Sequence, residues 1–180
     1  MQELQYGGPK TVAEAVALLA DGQARALAGG TDLIPQMREG RRAVARVVDL
    51  KRIPELTAIS HRDDGGWRIG AAASIGQLGR DARFAGEHAS LLESARLIGS
   101  LQIQSRASLG GNVCNAAPSA DAVPLLFCLG ATARIAGPVG ERTIPASAVA
   151  TGPGRTSLQA GELLVSLELP AQPRRWAAKY

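Results

Sequence analysis

Apolar residues recur at helical spacing in PKTVAEAVALLADG, where Val12, Ala15, Val16 and Leu19 share one face of a predicted helix. Thr11 stands at its N-cap, Glu14 completes the pattern of a capping box, and Asp21-Gly22 stops it. The pattern then changes to short apolar runs. ARALAG (24–29) and ARVVDL (45–50) read as buried strands. DLIPQMREG, between them, reads as a short helix ending at Gly40, with Pro35 tolerated in its first turn. This alternation predicts a small parallel β-α-β unit over residues 1 to 56.

From Leu56 the periodicity shortens. LTAIS (56–60), the turn HRDDGG and WRIGAAAS (67–74) predict a hairpin around Asp64-Gly65-Gly66. Helices are predicted at Ile75–Arg80, Ala89–Gly99 and Asp121–Leu129. Strands follow at ATARIA (131–136), ERTIP (141–145) and LLVSLELP (163–170), separated by Gly and Pro. The class is α+β, with mainly antiparallel strands in the larger part.

The 180 residues form one or two small domains, long enough to bury a core. Two Trp, two Tyr and two Phe are too few for an aromatic cage, so binding must rest on backbone groups. The net charge of +4 is scattered, with REGRR (38–42) and PRRW (173–176) as short clusters. Such a pattern reads as solvated surface and argues against a nucleic-acid partner. No apolar run has the length of a membrane span, and MQELQYGG lacks a signal-peptide core, so cytoplasm is expected. Cys114 and Cys128 lack the partners of a metal or cluster site, and Cys128 in PLLFCLG reads as a small buried hydrophobe. His61 and His88 are isolated in polar surroundings and read as surface residues.

Two stretches carry candidate chemistry. LAGGTDLI (27–34) pairs Gly29 and Gly30 with Thr31 between a strand and a helix. Glycines there expose successive N–H groups, the helix start adds its dipole, and the threonine adds a hydroxyl, a combination suited to phosphate. It is neither a Walker loop nor GxGxxG. SLGGNVCNAAPSAD (108–121) is a second paired-glycine turn, followed by Asn115, Pro118, Ser119 and Asp121. Ser119 or Asp121 is expected to cap the next helix. The two turns are expected to form opposite walls of one site, giving backbone donors to a pyrophosphate and side chains to ribose or ribityl hydroxyls.

ALAGGTDLI, SLGGNVCNAAPSADAVPLL and GELLVSLELP, in this order and spacing, resemble the FAD-binding medium subunit of the molybdenum hydroxylases. That family includes the flavin domain of xanthine dehydrogenase and the medium subunit of aerobic carbon monoxide dehydrogenase. The resemblance runs from about residue 3 to Tyr180. It implies a two-lobed FAD-binding fold of the vanillyl-alcohol-oxidase (PCMH) type. Residues 1–56 would form the N-terminal lobe and residues 57–170 the second, with 171–180 starting a C-terminal extension whose remainder is absent here. It also implies the site. Gly29, Gly30 and Thr31 would meet the pyrophosphate, with Leu27, Ala28, Asp32 and Leu33 nearby. Ala107, Ser108, Gly111 and Asn112 would form the opposite wall, and Asn115 and Asp121 would reach sugar or ribityl hydroxyls. Leu164 and Lys179 would approach the flavin ring. Family members commonly carry QIRN before the second turn, where this chain has QIQS (102–105) followed by Arg106. Asn115 stands where Thr or Ala is common.

The function implied is electron transfer. FAD would take electrons from the [2Fe–2S] small subunit of a complex with a molybdopterin-binding large subunit, and pass them to NAD+ or another acceptor. The sequence offers no evident catalytic base and no metal ligands of its own. The alternatives are a self-sufficient flavin oxidoreductase and a non-redox nucleotide-binding module.

Overall fold

The computed structural model describes residues 4–173. The N-terminal part forms β1 (Gln5–Gly7), α1 (Val12–Leu19), β2 (Ala24–Leu27), α2 (Leu33–Arg38) and β3 (Arg46–Asp49). The three strands make a parallel sheet of order β1-β3-β2, so the β-α-β expectation holds. Thr11 Oγ1 accepts the Glu14 N–H at 3.2 Å, while the Glu14 carboxylate reaches back one residue further than a capping box, to the Lys10 N–H at 2.7 Å. Ala15 and Leu19 are the buried residues of the helix. β3, in the middle, buries Val47 and Val48 as expected. β2 lies at the edge and buries only Ala24, which corrects its reading as a buried strand.

A 3₁₀ turn at Leu50–Arg52 and α3 (Pro54–Thr57) lead to the hairpin β4 (Ile59–His61) and β5 (Trp67–Gly70). Its turn closes with Arg62 N–H to the Gly66 carbonyl at 2.8 Å. Short helices follow: α4 (Ile75–Arg80), α5 (Ala82–Glu87), α6 (Ala89–Ala95), α7 (Leu101–Gln104), α8 (Leu109–Asn115) and α9 (Val123–Cys128). Then come β6 (Thr132–Gly137), β7 (Gly140–Pro145), β8 (Ala150–Gly152), β9 (Arg155–Thr156) and β10 (Leu163–Leu169). The larger sheet is antiparallel, of order β4-β5-β10-β6-β7, and β8-β9 form a separate ribbon.

β10 is the centre of the molecule. It pairs with β5 on one side and β6 on the other, with an irregularity between Leu164 and Ser166. Leu164, Leu167 and Leu169 belong to the main core. Leu163 and Val165 belong to a second cluster with Ala15, Leu19, Val48, Leu50, Ile53 and Leu56. The small sheet therefore packs against the antiparallel one through β10, and apolar burial joins the two. Among the described residues, no helix is long and apolar enough to cross a membrane.

Two further expectations are corrected. His88 is 1% exposed, packed against Phe84 with ring centroids 5.0 Å apart, and burial pushes its pKa down despite the nearby Glu87. Cys128 is exposed, because the buried face of α9 carries Leu125 and Leu126 instead.

Candidate functional site

The residues expected to form the first wall stand where β2 leaves the small sheet. Those of the second stand where the chain passes from α7 into α8. They face one cleft of about 190 Å³. Leu27, Ala28, Gly29, Gly30, Thr31, Asp32 and Leu33 line one side, and Ala107, Ser108, Gly111, Asn112 and Asn115 the other. Leu164, 2% exposed, reaches the cleft from β10. Asp121 does not line it. Lys179 lies outside the described residues.

The first wall is an irregular turn. Gly30 has φ +77°, a conformation that glycine adopts without the penalty of a side chain. Its carbonyl accepts the Ile34 N–H at 3.1 Å, which starts α2. Gly29 is a glycine for another reason: a Cβ there would sit 2.1 Å from the Arg106 carbonyl oxygen. The two walls thus approach each other through backbone at this point. Among the described residues, nothing accepts a hydrogen bond from the N–H groups of Gly29, Gly30 or Thr31. Three consecutive donors are left for a ligand.

The second wall is not the turn expected from the sequence. Gly110 and Gly111 already lie in the first turn of α8, and Ser108 is its N-cap, accepting the Gly111 N–H at 3.1 Å. Gly110 packs on the strand end below it, where a Cβ would meet the Ala71 carbonyl oxygen at 2.5 Å. A Cβ on Gly111 would have only Ser108 Oγ at 3.0 Å and Ala28 Cβ at 4.0 Å nearby. Asn112 Oδ1 is buried and has no hydrogen-bond partner. Such a group carries a cost that a donor from a ligand would remove. The helix ends at Ala116 with φ 49°, and α9 begins from Ala122 with no side-chain cap, so the expected cap from Ser119 or Asp121 is not made.

At the position where the resemblance leads one to expect an arginine, Gln104 is buried and donates from Nε2 to the Arg96 carbonyl at 2.8 Å. Arg106 is the cation that reaches the cleft turn, donating from Nε to the Gly29 carbonyl at 3.1 Å.

Several lining residues escaped the sequence reading. Arg25 precedes the first glycine turn and Arg42 comes from the REGRR cluster, and both bring positive charge to the cleft. The signal for Arg42 was present, but a cluster of arginines looks alike whether it faces solvent or a site. Glu162 also lines the cleft. Arg142 donates to both its carboxylate oxygens at 2.7 Å and holds it below the usual carboxylate range. Cys114 is on the same wall, packed against the main core, and burial pushes its thiol up to about 12.

An arrangement of three free amides, two arginines and an unpaired amide oxygen suits a ligand carrying phosphate and hydroxyl groups. The family described as FAD binding domain in molybdopterin dehydrogenase matches residues 2–172. The xanthine dehydrogenase FAD-binding subunit of Escherichia coli O157:H7 is 38% identical over 170 residues, covering 94% of this chain and 58% of that protein. Reconstituted CO dehydrogenase from Oligotropha carboxidovorans superposes with a TM-score of 0.90 at 34% identity, over 95% of this chain and 60% of that one. A chitooligosaccharide oxidase, with TM-score 0.54 and 16% identity over 93% of this chain and 36% of its own, shares the fold alone. The chain spans about three-fifths of the length of the molybdenum-hydroxylase relatives it matches.

Proposed function

The chain belongs to the family of FAD-binding domains in molybdopterin dehydrogenases, and from that premise we propose that it holds FAD as the flavin part of a multi-subunit molybdenum hydroxylase. The observation that carries this reading is the run of unpaired N–H groups at Gly29, Gly30 and Thr31, facing a wall whose Asn112 Oδ1 is buried without a partner. When bound, FAD supplies the redox chemistry, receiving electrons from a [2Fe–2S] small subunit served by a molybdopterin-binding large subunit and passing them to NAD+ or another acceptor.

The chain's own residues bind and orient. Gly29, Gly30 and Thr31 would donate to the pyrophosphate, with Arg25 and Arg42 adding charge. Asn112 and Asn115 would meet hydroxyl or amide groups of the cofactor, and Leu164 would pack beside the ring. FAD would lie between a lobe of residues 1–56 and one of residues 57–170. A self-sufficient oxidoreductase would need a proton-transfer group in the cleft. Arg142 occupies both carboxylate oxygens of Glu162 and burial holds the Cys114 thiol protonated near neutral pH, which leaves Asp32 as the other acidic group lining the cleft.

The test is a titration of the purified chain with FAD, followed by flavin fluorescence, with ADP as competitor. Saturable binding that ADP displaces is expected. A chain that leaves FAD free at all concentrations would sink the proposal.

A further inference from the structure

The first wall of the cleft combines unpaired N–H groups with carbonyls that are hydrogen-bonded to side chains. A trans peptide is planar, so each C=O points opposite to the N–H of the next residue. Among the described residues there is no cis peptide. The Ala28 carbonyl accepts from Lys51 Nζ at 2.9 Å, and the Gly29 carbonyl accepts from Arg106 Nε at 3.1 Å. Neither cation lines the cleft. The N–H groups of Gly29 and Gly30 therefore point away from the side on which Lys51 and Arg106 bind.

Lys51 is itself held. Its Nζ donates to Asp49 Oδ1 at 2.5 Å, and its backbone N–H reaches the same oxygen at 3.0 Å. Tyr6 donates its hydroxyl to Asp49 Oδ2 at 2.9 Å. A chain of contacts thus runs from β1 through the end of β3 to the cleft turn. Asp49 is largely buried, with 13% of its side chain exposed, which limits the swing of the lysine.

We infer that Lys51 and Arg106 are positioning residues that clamp two consecutive carbonyls of the glycine turn and so aim its amides at the cofactor's pyrophosphate. The inference rests on the FAD reading above. Both cations act through the backbone and do not touch the ligand. Arg106, which forms no salt bridge among the described residues, also puts positive charge beside the turn, whereas the charge of Lys51 is balanced by Asp49. The clamp is an assembled feature, because Lys51 comes from the 3₁₀ turn that follows β3 and Arg106 from the segment leading into α8.

The full chain tests this. FAD and ADP affinities are measured for wild type, Lys51→Met, Lys51→Arg and Arg106→Met, together with the melting temperature of each apo-protein. Lys51→Met and Arg106→Met are each expected to weaken FAD about tenfold, as loss of a charged hydrogen bond does. ADP, which carries the pyrophosphate without the flavin, should lose the same factor. Lys51→Arg should recover most of the affinity, and the apo-proteins should melt within about 3 °C of wild type. A wild-type chain that does not bind FAD would defeat the cofactor reading itself. A wild type that binds, beside a Lys51→Met variant of equal affinity, would defeat only the clamp at Ala28. Equal affinity in Arg106→Met would likewise remove Arg106 from it. The clamp is also overturned if apo stability falls in step with affinity, or if Lys51→Arg binds no better than Lys51→Met. The lysine would then hold the fold rather than aim the amides.

Discussion

At Gly29-Gly30 the chain makes an irregular turn whose carbonyls are gripped from outside, whereas at Gly110-Gly111 it has already entered a helix capped by Ser108. The same dipeptide serves three different constraints across its four glycines. Gly29 and Gly110 allow backbone to pass close to backbone, at Arg106 and Ala71. Gly30 supplies a positive φ. Gly111 is the member whose missing side chain leaves room toward the opposite wall. A paired-glycine motif thus marks a place where chains crowd, and only part of it concerns the ligand.

The comparison breaks most clearly at Gly29. Gly29→Ala should cost about 3 kcal/mol or more in urea unfolding, because the added methyl meets a carbonyl that cannot turn aside. A variant as stable as wild type would show that the walls separate easily. Gly30→Ala should cost about 1–2 kcal/mol, the penalty for a left-handed residue. The methyl's nearest neighbour at 2.7 Å is Ile34 Cδ1, the end of an exposed and adaptable side chain, so sterics add little. Gly111→Ala should change stability by less than about 1 kcal/mol, since alanine's helix propensity offsets the tight contact with Ser108 Oγ. It should nevertheless weaken FAD about tenfold by narrowing the cleft, as a small overpacking does. Loss of fold in this variant, or unchanged affinity, would contradict its assignment to the ligand side.

The smallest effect is that of pH. Burial raises the Asp49 carboxyl, but its bonds from Lys51 and Tyr6 outweigh this and hold it below the usual range. A depressed carboxylate stabilises above its unfolded pKa of about 3.9 and loses that contribution as pH falls through the lower folded value. Asp49 should therefore leave FAD affinity flat between about pH 5 and 9, with the first wall loosening only below about pH 4. A midpoint near pH 6 that disappears in Asp49→Asn would contradict this.

Much of the local structure was legible because local chemistry determines it. Thr11 and Asp21-Gly22 bound α1, and Asp64-Gly65-Gly66 turns the hairpin, through interactions a few residues long. The membership of the cleft was legible where a glycine turn itself lines it. What stayed hidden depends on distant partners. β1 is three residues long and mostly exposed, and is a strand only because β3 lies beside it. His88 looks polar in sequence, yet Phe84 and Trp67 surround it in space. Gly110-Gly111 reads as a turn because glycine disfavours helix, and only the nearness of Ala71 explains why a helix contains it. Lys51 gives no signal, since its partner is a carbonyl and carbonyls are everywhere.

The strand order carries a consequence for how the molecule is made. β5 and β6 flank β10 but precede it along the chain, so on a ribosome they appear as parts of two hairpins with a gap between them. Neither core can close before Leu163–Leu169 arrives, because that strand feeds both. Assembly is therefore governed by a late, long-range pairing, the kind that slows folding and leaves strand edges exposed meanwhile. A nascent chain halted ahead of residue 163 presents those open edges to whatever else is in the cell, and the same strand that completes the cleft is the one that ends the exposure.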